Sequence, residues 1–321
     1  MVKLDKINRR ILFELDQNAR ISERKLAKIV GRSKESVRYR IQQMTHAGII
    51  QRFTTWIDPT KLGYHSAKVY VTLANIPEKK KEFIEYVKNE KRVLWLGIAE
   101  GTWNAGMTFF VKDNEEFFTL KNEIFSRFRE LILDSYTASL VKIHHYGLNY
   151  IYPGKPSHTI LFSKPESNVI DELSMHILKA LFQNARTPLT HLAEKNKVNV
   201  ETIKQRIQSM EQSGIIVRYT IAIDATKLGY DFYKTFLYFK NITPKDLQLL
   251  IGYAELIPEI RYLIEQISPW DIELEVMCSS YAQYNETIAK LTSQFSHIIK
   301  KVETAIVSQD YVFPGQNFIF D

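Results

Sequence analysis

Residues 33–50 read Ser-Lys-Glu-Ser-Val-Arg-Tyr-Arg-Ile-Gln-Gln-Met-Thr-His-Ala-Gly-Ile-Ile. Val37, Ile41 and Met44 fall at i, i+4 and i+7, the spacing that puts three apolar side chains on one face of a helix. Ser33 in front is a residue type that accepts a backbone N–H left over at a helix start, and Gly48 behind it ends the helix. At about 100° per residue from Val37, the outward side shows Glu35, Arg38, Tyr39 and Gln42, flanked by Lys34 and Ser36. These residue types reach base edges or phosphates: arginine and lysine as cations, glutamine and serine as hydrogen-bonding readers, tyrosine as a stacking or phosphate-contacting group. Arg40 lies nearer the core, where a structural ion pair competes with a phosphate contact.

Upstream, Asp5 precedes Ile7, Ile11, Leu12 and Leu15 at helical spacing, and Ser22 opens a short helix carrying Leu26, Ala27 and Val30. Gly31 supports the turn into the third helix. Two helices, a tight turn and a polar third helix predict helix-turn-helix geometry, and the segment from Ile49 to Ile57 that follows suits a β wing.

The whole pattern occurs twice. Shifted by 166 positions, residues 5–64 align with 171–230 without a gap, and 27 of the 60 positions are identical. Asn18-Ala19-Arg20 meets Asn184-Ala185-Arg186, Gly48-Ile49-Ile50 meets Gly214-Ile215-Ile216, and Thr60-Lys61-Leu62-Gly63-Tyr64 meets Thr226-Lys227-Leu228-Gly229-Tyr230. Tyr150-Ile151-Tyr152-Pro153-Gly154 is answered by Tyr311-Val312-Phe313-Pro314-Gly315, so the duplication covers nearly the full chain. A repeat this long is one or more whole domains rather than a solenoid unit. In the second copy Asn199 caps the third helix, and Thr187 with Pro188 marks the start of the second, with proline at the first helical position. Its outward face shows Glu201, Thr202, Lys204, Gln205 and Gln208, with Arg206 standing where the first copy has Arg40.

After each helix-turn-helix the period changes. In the first copy, strand signals at Ala67 to Leu73, Val93 to Ala99, Met107 to Val111 and Ala138 to His144 alternate with helices at Glu78 to Lys88 and Phe117 to Phe128. In the second, Phe232 to Lys240, Lys245 to Leu256, Arg261 to Ile267, Ile272 to Cys278, Tyr281 to Phe295 and Val302 to Val307 repeat the order. The order βαββαβ is that of a ferredoxin-like sheet with both helices on one face, and its open face calls for a second sheet. The fold class expected is thus α+β: two winged helix-turn-helix domains (1–60 and 169–226) alternating with two ferredoxin-like effector or dimerisation domains (61–154 and 227–321). The linker over 155–168 contains Pro156, Ser157, Ser163, Pro165 and Ser167.

Charge supports a polyanionic partner and says where it binds. The net charge is +7 with a pI near 9.1. Residues 1–52 hold 13 Lys or Arg against 5 Asp or Glu, while 167–218 hold 7 against 5. The positive field belongs to the first head, which is therefore expected to dominate affinity for duplex DNA. The opening Met-Val-Lys-Leu-Asp-Lys-Ile-Asn-Arg-Arg carries charge in every turn and has no apolar signal segment, so a cytoplasmic location is expected. The one cysteine, Cys278, sits in an apolar run and reads as a small core hydrophobe. No paired catalytic carboxylates, phosphate-cradling glycine loop or metal-ligand spacing is visible, so neither a metal nor a cofactor is expected.

Asn18-Ala19-Arg20, Arg40-Ile41, Gly48-Ile49-Ile50 and Lys61-Leu62-Gly63-Tyr64, in this order of modules, resemble the Lrp/AsnC ("feast/famine") family of prokaryotic regulators. The resemblance covers almost the whole chain twice. It implies a winged helix-turn-helix followed by a ferredoxin-like domain through which subunits pair sheet to sheet, and in some members amino acids bound between subunits. Family members usually carry one copy; two fused copies imply an intramolecular pseudo-dimer, with larger assemblies as a further family trait. The family's effector loop between the second and third strands typically carries glycine followed by an acid. Gly101-Thr102-Trp103-Asn104 corresponds to it here, and Ser268-Pro269-Trp270-Asp271 in the second copy. Gly101, Trp103, Asn104, Trp270 and Asp271 are the small-molecule candidates, against a reading of both tryptophans as packing residues.

Two other functions compete. Siroheme decarboxylases share this architecture and sometimes fuse two copies, but Arg52-Phe53-Thr54-Thr55-Trp56 does not resemble their Arg- and His-rich stretch, and His144-His145 is the one histidine cluster. Alternatively, a head has become a protein-interaction module, a reading the charge asymmetry favours for the second head over the first.

Overall fold

The computed structural model describes residues 4–154, 157–162 and 168–312. In chain order the elements are α1 (Lys6–Gln17), α2 (Glu23–Val30), α3 (Lys34–His46), β1 (Ile50–Ile57), β2 (His65–Leu73), α4 (Pro77–Asn89), β3 (Val93–Gly101), β4 (Ala105–Val111), α5 (Asn114–Arg127), β5 (Ile132–His145) and β6 (Thr159–Leu161). The second half adds α6 (Glu172–Gln183), α7 (Leu189–Lys195), α8 (Val200–Gln212), β7 (Ile216–Ile223), β8 (Asp231–Phe239), α9 (Pro244–Glu255), β9 (Ile260–Ile267), β10 (Ile272–Cys278), α10 (Tyr281–Gln294) and β11 (Ile299–Val312). Of the expected linker, Pro156, Ser163, Pro165 and Ser167 lie outside the described residues, as do Phe313, Pro314 and Gly315. Thr159–Leu161, expected as open linker, form a strand.

Packing divides the chain by module type and not by copy. One unit's described residues fall within Met1–Asp58, His145–Thr159 and Asn168–Tyr230; the other's fall within Pro59–His144, Ile160–Ser167 and Asp231–Asp321. The four modules expected along the chain are therefore two bodies, each built from both copies. Residues 145–154, assigned from sequence to the first ferredoxin-like domain, group with the helical unit instead, as do 157–159 of the expected linker.

In the helical unit the expected caps form: Asp5 accepts from Asn8 N at 2.8 Å, Ser33 from Ser36 N at 3.1 Å and Asn199 from Thr202 N at 2.7 Å. Gly31 takes the left-handed conformation at φ 65° that lets α2 stop and the chain turn into α3. One start differs from expectation. Pro188 lies outside α7 in an extended conformation, and the Thr187 hydroxyl donates to Asn184 O at 2.7 Å instead of capping the helix. The wing differs too. β1 does not fold back on itself; it pairs antiparallel with β7, the same segment of the other copy, with Thr54 opposite its own repeat equivalent Thr220. A segment that pairs with its own duplicate must do so about a two-fold axis, since each hydrogen bond made by one copy is then available to the other.

The Asn-Ala-Arg signature locks this pairing. Ala19 and Ala185 are fully buried. Arg20 Nη1 donates to Ala185 O at 2.8 Å while Arg186 Nε donates to Ala19 O at 2.7 Å. Ala19 N donates to Tyr219 O and Ala185 N to Phe53 O, and each arginine lies over the ring of the residue so bonded, Tyr219 at 5.2 Å and Phe53 at 4.1 Å. The two heads thus form one body.

In the second unit each copy gives the sheet order last, first, third, second: β5-β2-β4-β3 and β11-β8-β10-β9. This is the ferredoxin-like order expected. The edges do not remain free, because β3 pairs with β11 and β9 with β5, and the ring closes through the β2–β5 pairing. β5 and β11 are each 14 residues long, well beyond the strands expected, and one strand of that length can serve two neighbours. β11 pairs with β8 through Ile299–Val307 and with β3 through Ala305–Val312. Closure removes the exposed hydrogen-bonding edges that a four-stranded sheet leaves.

Strand β2 is buried on both faces. Val69 and Val71 pack with Phe83 and Val87 of α4 and Leu120 and Ile124 of α5 in the first copy's apolar core. The opposite face carries Lys68 and Tyr70, which meet Glu273 of the other copy: Lys68 Nζ lies 3.0 Å from Oε1, and the Tyr70 hydroxyl donates to Oε2 at 2.7 Å. Lys234, the repeat equivalent of Lys68, donates to Glu273 and to Glu275, the latter at 2.7 Å, and Gln266 Nε2 donates to Glu273 at 3.2 Å. Burial alone would raise the Glu273 carboxyl, but Lys234 and Lys68 hold it at about 2 against an ordinary 4.5. Cys278 is buried as expected, and burial pushes its thiol up to about 12.

Glu273→Gln leaves two buried ammonium groups short of a countercharge, and breaking such a network costs about 3–5 kcal/mol. Denaturant unfolding followed by tryptophan fluorescence reads this loss, since Trp95, Trp103 and Trp270 all lie in the sheet unit. The depressed carboxyl also fixes a pH window. Its contribution is complete above 4.5, where the unfolded chain is ionised too, and drains away as pH falls toward about 2. The wild type is therefore expected to lose stability across that acid range with a steeper slope than Glu273→Gln shows.

Candidate nucleic-acid interface

Helix α3 presents the face the sequence predicted. Val37, Ile41 and Met44 are buried, while Lys34, Glu35, Arg38, Tyr39 and Gln42 are exposed and Ser36 is half-exposed. Tyr39, a large aromatic at 62% exposure, has no packing role that explains it. In the second head Glu201, Lys204, Gln205 and Gln208 are exposed and Thr202 is half-exposed on α8, over buried Ile203, Ile207 and Met210.

Arg40 and Arg206 are both ion-paired within their own heads. Arg40 Nη1 lies 2.8 Å from both Asp5 Oδ2 and Asn8 Oδ1, and Arg206 Nη2 lies 2.7 Å from Asp171 Oδ2. Each arginine ties its third helix to the capping aspartate of its first, the kind of structural ion pair that the sequence left open for Arg40. Arg38 is engaged differently: Glu23, the first residue of α2, accepts from its Nε at 3.0 Å and its Nη2 at 2.8 Å. These hydrogen bonds hold the Glu23 carboxyl below the usual carboxylate range, aided by the charge of Lys34 and Arg186. Sequence reading missed Glu23 because nothing in its spacing from Arg38 follows a helical or strand period. Lys204 in the second head is paired within its own helix, with Glu201 at 3.2 Å.

The wing strands are also unequal. Arg218 is buried with Asp16, its Nη2 lying 3.2 Å from Oδ2, and its Nη1 shares a hydrogen bond with His145 Nδ1 at 3.1 Å. Its repeat equivalent Arg52 meets no acid among the described residues, and the position equivalent to Asp16 is Phe182. Burial pulls the Arg52 guanidinium down to about 10, and its Nε has no acceptor among the described residues. His144 pairs with Glu265 at 2.7 Å, so the two adjacent histidines serve separate units and do not converge on one centre.

The small-molecule candidates are placed as follows. Trp103 and Trp270 are 2% and 4% exposed and both pack against Tyr70, with ring centroids at 5.0 and 5.3 Å. Asn104 Oδ1 accepts from Leu73 N at 2.8 Å and Asp271 Oδ2 from Phe239 N at 2.7 Å, equivalent bonds that pin the end of the first strand in each copy. Gly101 sits at φ 129°, where a Cβ would come within 2.6 Å of Thr304 O. Among the described residues, no group of three or more His, Cys, Asp or Glu side chains is arranged to hold a metal ion, and no helix is long and apolar enough to cross a membrane.

Residues 4–51 match the winged helix-turn-helix DNA-binding family model, and residues 170–211 match the AsnC-type helix-turn-helix domain. The chain is 33% identical over 141 residues to the regulatory protein AsnC of Haemophilus influenzae, covering 93% of that protein and 44% of this one. It is 30% identical over 145 residues to the regulatory protein AsnC of Escherichia coli K12, covering 94% and 45%. The crystal structure of the siroheme decarboxylase NirDL superposes with a TM-score of 0.67 over 98% of this chain and 97% of that one, at 12% identity. That likeness is one of fold alone, whereas the sequence identity and both domain matches are with regulators. The chain belongs to the AsnC/Lrp family of helix-turn-helix DNA-binding transcription regulators and carries the family's unit twice in tandem.

Proposed function

We propose that this regulator reads duplex DNA through the exposed face of α3, with Lys34, Glu35, Ser36, Arg38, Tyr39 and Gln42 in contact with the double helix. α8 contributes a weaker second contact through Thr202, Lys204 and Gln205. One observation carries this reading: a polar, aromatic-bearing helix face stands open in a head whose first 52 residues hold 13 basic against 5 acidic side chains. A helix anchored by Val37, Ile41 and Met44 keeps that face rigid, which direct reading of base edges requires. Because β1 and β7 bind the heads together, the two half-sites are read at a fixed separation, and because the heads differ, the site departs from a palindrome. The same reading places the chain in the cytoplasm with prokaryotic chromosomal DNA, as a pseudo-dimer that further copies can join.

A small-molecule effector, such as an amino acid, has one observation in its favour. The indole N–H groups of Trp103 and Trp270 have no acceptor among the described residues although both rings are buried. A ligand offering an acceptor there would satisfy a donor that otherwise stays unpaired.

Charge neutralisation tests the DNA reading. Lys34→Gln together with Arg38→Gln is expected to weaken binding to a selected site by about tenfold or more in a gel-shift titration, while Lys204→Gln costs a smaller factor. Equal losses from the two heads, or no binding of duplex DNA by the wild type at low salt, would overturn it.

A further inference from the structure

An exposed arginine on a recognition helix has two uses. As a free cation it is drawn to the nearest phosphate, which carries no sequence information; as an oriented fork it reads the O6 and N7 acceptors of guanine. Which use prevails depends on what else the guanidinium touches. Arg38 gives Nε and one N–H of Nη2 to Glu23, so one edge of its plane is occupied and the carboxylate offsets its charge. The end of the fork remains: both N–H groups of Nη1 and the second of Nη2 have no partner among the described residues.

We propose that Glu23 is a positioning residue that makes Arg38 a guanine reader, by gripping the Nε edge so that the Nη1–Nη2 end meets O6 and N7 in the major groove. This rests on the reading of α3 as the DNA-contacting helix. Three observations favour it over a merely stabilising pair. The side chains are 52% and 25% exposed, and an ion pair that open to solvent adds little to folding. Glu23 starts α2, a capped helix packed on α3, so the grip comes from a fixed element and holds a side chain whose rotamers would otherwise have to be ordered on binding. The second head lacks the device, since Leu189 stands where Glu23 does and the equivalent cation is Lys204, a point charge without a fork. A guanine is thus specified in the half-site under α3 and not in the one under α8.

The test is selection of DNA fragments by the full-length wild type, Glu23→Gln, Arg38→Gln and Arg38→Lys. It is followed by titration of the selected site, and of its single-base variants at the specified guanine, at two salt concentrations. Thermal unfolding of each variant confirms that the heads stay folded. The wild type is expected to specify a guanine that Arg38→Gln no longer requires. Glu23→Gln should still bind the site, yet discriminate about tenfold less against replacing that guanine, with a steeper dependence on salt because Arg38 has turned to phosphate. Arg38→Lys should likewise keep affinity and lose discrimination.

If Glu23→Gln keeps the wild-type preference and salt dependence, or binds with sharper preference, Glu23 does not position the reader. If Arg38→Gln changes neither affinity nor preference, the assignment of Arg38 to the DNA-reading face fails instead, and the two failures are separate.

Discussion

A single buried carboxylate organises the sheet unit. Glu273 is fully buried and accepts from Lys68 and Tyr70 of one copy and from Lys234 and Gln266 of its own. Removing charges from water is costly, and the cost is recovered only when every group is paired. The arrangement therefore accepts one partner geometry and rejects its alternatives. Two first copies facing each other would bury two lysines with no acid between them, since the positions of Glu273 and Glu275 are Gly106 and Thr108 in the first copy. The network demands one copy of each kind, and a tandem chain supplies them in a fixed ratio.

Gly106 has a further consequence in the same place. A Cβ there would come within 2.9 Å of both Trp95 and Tyr70, and at Gly97 within 2.3 Å of the Trp95 ring. Where the second copy has an acid, the first has the space that admits Trp95, whose ring lies 4.4 Å from Lys234 Nζ. The two copies have diverged into complementary halves. The same logic runs through the helical unit, where Asp16 receives Arg218 while its equivalent Phe182 offers Arg52 no carboxylate. What the duplication kept identical, Asn-Ala-Arg and the Thr54–Thr220 crossing, makes the reciprocal bonds that hold the heads together; what it changed supplies acids, space or charge to one side only.

That division accounts for what could be read in advance. The βαββαβ order, the three helices and the outward face of α3 were all legible, because each is written in a local period of 2 or 3.6 residues and in caps a few positions away. Strand ends were legible only roughly: Ala138 to His144 became Ile132–His145, because β2 pairs with the segment from Ile132 to Ser139 ahead of the sequence signal. Arg40 was ambiguous in sequence because helical angle alone places it between core and surface, and the partner it finds, Asp5, lies 35 positions away. Asn104, Asp271 and the two tryptophans carried the position of a ligand loop but are engaged in strand-end bonds and ring packing, which depend on neighbours far along the chain.

By itself the sequence determined the composition of each module, its secondary structure, the duplication and the charge of the first head, because these follow from local pattern and from counting. Only the tertiary structure decided that the modules group by kind, that β1 pairs with β7, that Glu273 meets Lys68, and that Glu23 grips Arg38. Those are contacts between segments far apart in the chain, chosen by which polar groups can be satisfied once water is excluded, and no local period records that choice.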